Sequence, residues 1–313
     1  QWAPTQAHID AHLPWLTKGG IDLNIGQMYG LLGYEGTDAL ERPFYSYNYS
    51  SDYIVPFEVV GVTATIHLNE HTSWIIGINA GNSTTFGDAG NNNRPKGYFG
   101  FQFEGLAGGK LDMTALTYVG PQQNMHNPDI GADANREMEY IGDFIATYRI
   151  NDTTSVTLNA TYFHDDYLRD DAYGVTTYFA HDFYPWLTFN ARGEIFRDNN
   201  GNVVGMNTST MSYINYLRGA ESYPYDQGPG TTYGELTVGV SYRPQFVHLP
   251  KGSLVIRPEI RLDKSLNGTR PLTVFHPRIR PVQILRIMAP TTCSGSVVMP
   301  CGLFEVFPSR KVR

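Results

Sequence analysis

The sequence predicts an all-β protein, an antiparallel up-and-down transmembrane β-barrel. Three observations carry that prediction. Twelve stretches alternate polar and apolar residues; they pair into six hairpins; and the connections are short inside hairpins but mostly long and polar between them. Alternation with period two gives each strand an apolar face for lipid and a polar face for a lumen. About ten residues of it is the length a tilted strand needs to cross a bilayer.

The first hairpin sets Ala7, Ile9, Ala11 and Leu13 on one face, turns at Lys18-Gly19-Gly20 and returns through Ile21, Leu23 and Ile25. The second is the most regular. Val60, Val62, Ala64, Ile66 and Leu68 alternate with Thr63, Thr65 and His67, and after Asn69-Glu70-His71 the chain returns with Trp74, Ile76, Ile78 and Ala80. In the third, Phe99, Phe101 and Phe103 lead through Gly105 to Gly109 into Leu111, Met113, Ala115 and Val119. The fourth takes Phe144, Ala146, Tyr148 and Ile150 across Asn151-Asp152 to Val156, Leu158, Ala160 and Tyr162. The fifth joins Tyr173, Val175 and Phe179 to Leu187, Phe189, Ala191 and Ile195 around Asp182 to Pro185. The sixth joins Leu236, Val238, Val240 and Tyr242 to Leu254, Ile256, Ile260 and Leu262. Gly, Asn, Asp and Pro stand where the turns need them.

Composition narrows the alternatives. Charged residues are 17% of the chain, below the roughly 25% of soluble domains. Aromatics reach 13%, led by 21 Tyr and 16 Phe, and Tyr suits the interfacial girdles of a barrel because its ring is apolar and its hydroxyl stays wet. A Tyr-rich soluble β-sandwich is the rival fold. No apolar run approaches the 18 or so residues of a membrane helix, so a helical membrane protein is excluded.

Charge divides the chain at about Asp263. Residues 1–263 carry 15 Lys+Arg against 29 Asp+Glu, and residues 264–313 carry eight basic residues against one acid. We therefore read 1–263 as a partial barrel domain and 264–313 as an atypical basic, Pro-rich tail. A periplasmic extension, a disordered arm, a Cys293 to Cys301 disulfide loop and out-of-frame translation compete to explain it, and the abrupt loss of alternation favours the last. The start lacks a signal-peptide pattern, and the expectation is a chain cut from a larger closed barrel.

The segments Ile25-Gly26-Gln27-Met28-Tyr29, Leu32-Gly33-Tyr34-Glu35, Phe44-Tyr45-Ser46-Tyr47, Pro56-Phe57 and Gly61-Val62 resemble the OmpL-like "putative β-barrel porin" family of Gram-negative bacteria. The resemblance is densest over 19–81. It implies an outer-membrane location, contact with lipid and lipopolysaccharide, and passage of small hydrophilic solutes; it leaves homo-oligomerisation open and implies no nucleic-acid partner.

With the apolar faces toward lipid, the candidate pore-lining residues are Asp10, Asp22, Glu104, Asp112, Asp143, Glu194, Glu235, Glu259 and Asp263 against Arg149, Arg192, Arg243, Arg257 and Arg261. Nine acids against five arginines suggest a polar lumen with a mild cation preference. The plainer alternative is that the charges pair across strands and fill a closed barrel. In Arg257-Pro258-Glu259-Ile260-Arg261-Leu262-Asp263 all four charges share one face, which must be turned from lipid, while Pro258 suggests an edge or a bulge.

Residues 29–56 form the longest well-patterned connection, with Tyr45, Tyr47, Tyr49 and Tyr53 among serines; it either folds inward as a constriction or caps the barrel outside. Girdle placement explains these tyrosines better than a sugar track. His8-x-Asp10-x-His12 spans about 13 Å on a strand, too far for one metal to use both histidines, and is read as polar lumen lining. Asp165, Asp166, Asp170 and Asp171 read as a solvated acidic loop rather than a divalent-cation site, and Asp198 to Asn202 as a turn. No nucleophile elbow, zinc helix, phosphate loop or dinucleotide fingerprint is present, so an enzyme and a cofactor are not expected. The functional expectation is a porin-like channel, with a non-conducting barrel for surface interaction or adhesion through long loops as the alternative.

Overall fold

The computed structural model describes residues 5–40, 42–86, 92, 94–126, 130–204, 230–245, 254–269 and 286–288. The twelve alternating stretches become β1 Ala7–Leu13, β2 Ile21–Tyr29, β3 Glu58–Asn69, β4 Thr72–Asn79, β5 Lys96–Gly105, β6 Leu111–Pro121, β7 Met138–Asn151, β8 Thr154–Asp165, β9 Asp170–Tyr184, β10 Leu187–Asp198, β11 Thr231–Tyr242 and β12 Glu259–Ser265, and a short thirteenth strand, β13 Arg286–Met288, forms in the tail, where no alternation announced it. They lie in one sheet in chain order, every neighbour antiparallel. Among the described residues β1 pairs only with β2 and β13 only with β12, so the described sheet has two free edges. The six expected hairpins are all present.

The faces sort as the alternation requires. On β10, Asn190, Arg192 and Glu194 are buried while Ile195 is 61% exposed. Phe99, Phe144, Tyr173, Val175, Leu236 and Ile260 are likewise exposed on the outer face. An apolar exterior over a polar interior is the reverse of a soluble sandwich, whose strands would turn their apolar faces inward. The hydrophobic core is on the concave side. There Leu32, Tyr49, Ile54 and Val55 of the β2–β3 connection pack with Tyr98, Tyr118, Phe196 and Tyr233 of the wall.

Two local departures have physical causes. The return strand of the sixth hairpin begins at Glu259, with only a single bridge from Ile256 to Tyr242 before it. Pro258 has no N–H for the ladder, so pairing restarts after it, although its carbonyl still accepts from Val240 N at 3.2 Å. It therefore marks a strand start between β11 and β13 rather than a sheet edge. The β5–β6 connection closes in one tight turn, α2 Leu106–Gly109, where Ala107 and Gly108 have φ of 51° and 72°.

Candidate functional site

Residues 30–57 leave β2 and return to β3 across the concave side. The base is pinched shut: Gly30 N donates to Phe57 O at 3.0 Å, and a Cβ on Gly30 would lie 2.0 Å from Pro56 O. Within this segment a short helix, α1 Tyr49–Tyr53, is capped by Asn48, whose Oδ1 accepts from Ser51 N at 2.9 Å. The segment folds inward, which settles the choice the sequence left open.

Wall side chains grip its backbone. Asp143 on β7 accepts from Gly33 N at 2.8 Å and Asn159 on β8 from Tyr34 N at 3.3 Å. Thr176 on β9 accepts from Asn48 Nδ2 at 2.7 Å. Glu194 on β10 accepts from Ser50 N at 2.9 Å and Ser50 Oγ at 2.7 Å, and also from Tyr49 N. Glu259 on β12 accepts from Tyr45 N at 2.8 Å and Ser46 N at 3.1 Å. Arginines take the carbonyls: Arg192 donates to Ser46 O, Arg257 to Ala39 O and Arg42 O, and Arg261 to Tyr47 O. Ser46 and Asn48, two residues apart, thus reach β12 and β9. Three flat strand spacings would separate those walls by about 14 Å, so the sheet curves around the segment.

Arg192 is the centre of the clamp. Its side chain is 0% exposed, as are those of Glu35 and Glu235, both of which it binds. It also reaches Ser46 Oγ at 3.2 Å and Thr237 Oγ1 at 3.1 Å. Glu194 and Glu235 stand directly opposite each other across β10 and β11, an arrangement that repels. The clamp resolves it by giving Glu235 to Arg192 and Glu194 to the N–H groups of α1. On the inward segment, burial pushes the Glu35 carboxyl above its ordinary value, and Arg192 offsets only part of the rise. Gly174 supplies room: a Cβ there would lie 2.2 Å from Ser50 Oγ.

The candidate pore-lining residues divide into two groups. Asp143, Arg192, Glu194, Glu235, Arg257 and Glu259 are buried against the segment, and Arg261 and Asp263 pair at 2.8 Å beside it. Asp10, Asp22, Glu104, Asp112, Arg149 and Arg243 lie toward the hairpin turns, away from it. There Asp22 accepts from His12 and His67 at 2.7 Å each, Asp112 holds Arg149, and Arg243 donates to Thr188 Oγ1. His8 approaches Asp10 at 3.4 Å while His12 turns to Asp22, so the three do not converge.

The expected placement of other groups changes. Tyr49 is buried between Phe196 and Tyr233, and Tyr47 packs on Phe57 and beneath Arg42, so they are packing residues of the inward segment rather than girdle residues. The acidic loop is not uniformly solvated. Asp165 and Asp170 are buried, Asp165 capping Leu168 N and Asp170 bonding Asn200 N, while Asp166 and Asp171 both contact His164. Asp198 closes the following turn through Gly201 N and Val204 N. Cys293 and Cys301 lie outside the described residues.

Several residues of the clamp escaped sequence reasoning. Glu35 was visible only as part of the Gly-Tyr-Glu resemblance, and Asn48, Asn159 and Thr176 are uncharged. A second buried pair, Lys96 with Glu139, sits over the Tyr118 ring and was not singled out. Gly174 on an inward strand position was the available signal, since a strand glycine often marks close backbone approach.

An apolar-faced, polar-centred antiparallel sheet wrapped around its own inward loop defines a porin-type β-barrel. The profile of the family described as "Putative beta-barrel porin-2, OmpL-like" matches residues 2–288, and the chain belongs to that family. Among solved structures, OprB of Pseudomonas putida is similar in fold, with a TM-score of 0.51 at 13% identity over 84% of this chain and 68% of that one. OprD of Pseudomonas aeruginosa aligns over 79% of this chain and 72% of its own, at 13% identity and a TM-score of 0.38. No curated protein matches at the sequence level.

Proposed function

We propose that the chain acts in the outer membrane of a Gram-negative bacterium as a channel for passive diffusion of small hydrophilic solutes, with a mild cation preference. The observation that carries this reading is the polar interior wall, clamped to residues 30–57, beneath an apolar exterior. A loop held across the interior sets a width, and the fixed charges beside it set a preference. The cation preference is supported by which charges remain in water. Asp10 and Glu104 are exposed and Asp22 is half-exposed, whereas Arg192, Arg257 and Arg261 are engaged by carboxylates and carbonyls of the clamp and the half-exposed Arg149 is paired with Asp112. We assign 1–263 to the barrel and 264–313 to a tail of separate character, with β12 crossing that line to end at Ser265 and β13 of the tail pairing with it.

A second reading draws on the density of the clamp: a sealed barrel that presents long loops for surface interaction. Reconstitution in a planar bilayer separates the two. Discrete ohmic steps with a cation-favouring reversal potential support the channel, and a bilayer that stays sealed after verified insertion supports the second reading.

A further inference from the structure

Among the described residues two carboxylates of the inward segment take no part in the clamp: Asp38, which accepts only from Leu40 N at 2.8 Å within its own loop, and Asp52. On α1, Tyr49, Ser50 and Ser51 are buried, yet Asp52 is exposed. Its backbone N–H continues the helix to Asn48 O at 3.0 Å. Among the described residues its carboxylate has no hydrogen-bond donor and no ion pair, unlike Glu35, Glu194, Glu235 and Glu259, each held by at least one donor.

Water reaches this side chain, but protein surrounds it. Burial is the largest influence on its carboxyl and pushes it above the ordinary value, while Arg261 pulls it down. Wet and enclosed together describe the lining of a narrow aqueous passage. The charged wall group facing it, Arg261, is already committed to Asp263 at 2.8 Å and to Tyr47 O. The Asp52 charge therefore remains unneutralised by direct contact.

We propose that Asp52 is the specificity-determining carboxylate of the constriction, drawing small monovalent cations past α1 and turning anions away. The inference rests on the channel reading above. An ion passing α1 comes within a few ångströms of this charge, where Coulomb interaction is strongest. Charges in a wider, wetter section act from farther off and are screened over about 8 to 10 Å of saline.

The test is the reversal potential of the full chain, reconstituted in planar bilayers under a potassium chloride gradient. Asp52→Asn is expected to lower the potassium-to-chloride permeability ratio by about twofold or more, and Asp52→Lys to lower it further. Asp52→Glu, which keeps the charge, restores it. Asp152→Asn, in the β7–β8 turn, leaves the ratio unchanged and controls for handling. If the wild type conducts and Asp52→Asn keeps its ratio, or reduces both ion fluxes equally, the assignment of Asp52 is overturned while the channel stands. If the wild type inserts but does not conduct, the channel reading fails and takes this one with it.

Discussion

The wall gripping residues 30–57 and the wall near the hairpin turns come from the same alternating pattern and end in opposite states. At the clamp, the side chains of Arg192, Glu35 and Glu235 are 0% exposed. Toward the turns, Asp10 is 66% exposed and Asp22 48%, and Arg149 meets Asp112 with half its side chain in water. Alternation decides only that a residue points inward. Whether it then becomes a buried structural tie or a solvated charge depends on how far the inward segment reaches. The difference also separates energies: breaking a buried, hydrogen-bonded pair costs several kcal/mol, while an exposed pair contributes at most about one.

That contrast can be broken at its strongest point by Arg192→Ala. It strands Glu35 and Glu235 in a dry site and frees Ser46 O, and is expected to cost about 3 to 5 kcal/mol. The readouts are a lowered unfolding midpoint in detergent and noisier, larger single-channel currents. Gly174→Val should act on the same contact more gently. Its Cβ would lie 2.2 Å from Ser50 Oγ, so α1 is pushed off β9 and conductance rises while the strands stay paired. Circular dichroism unchanged from wild type, alongside the conductance, checks that outcome.

Acidity sharpens the comparison more modestly. Glu35 has a carboxyl raised above its ordinary 4.5 when the segment is inserted, so the inserted state binds a proton more tightly than a released one. The resulting stabilisation is complete below 4.5 and is lost as pH rises through the raised value. Conductance is thus expected to fall on acidification through that window, and less steeply in Glu35→Gln, where Arg192 and Glu235 remain as facing charges. The smallest effect belongs to the turn end: Arg149→Ala, breaking the exposed pair with Asp112, should change stability by less than about 1 kcal/mol.

Much of this architecture was legible in the residues. Phe144, Ala146 and Tyr148 opposite Ala160, Leu158 and Val156 read as a lipid-facing ladder, and that is their register. Arg192 and Glu194 read as inward, and they are buried there. The inward path of 30–57 was not legible, because Tyr45, Tyr47 and Tyr49 alternate with serine and asparagine and fit a girdle as well as a plug. The burial of Tyr49 depends on aromatic partners more than a hundred residues away, Phe196 and Tyr233, which no local pattern reveals. The charge count also misled in one respect. Nine acids and five arginines look like one lumen lining, yet six of those fourteen charges bind the backbone of a single segment.

The most direct test compares the single-channel conductance of the full chain with that of a variant in which residues 31–55 are replaced by a short Gly-Ser turn. If the segment crosses and narrows a conducting interior, the shortened chain should carry at least about threefold more current per step and pass larger neutral solutes. Equal conductance and an unchanged size limit in a correctly inserted variant would contradict the account, because the segment would then lie outside the path.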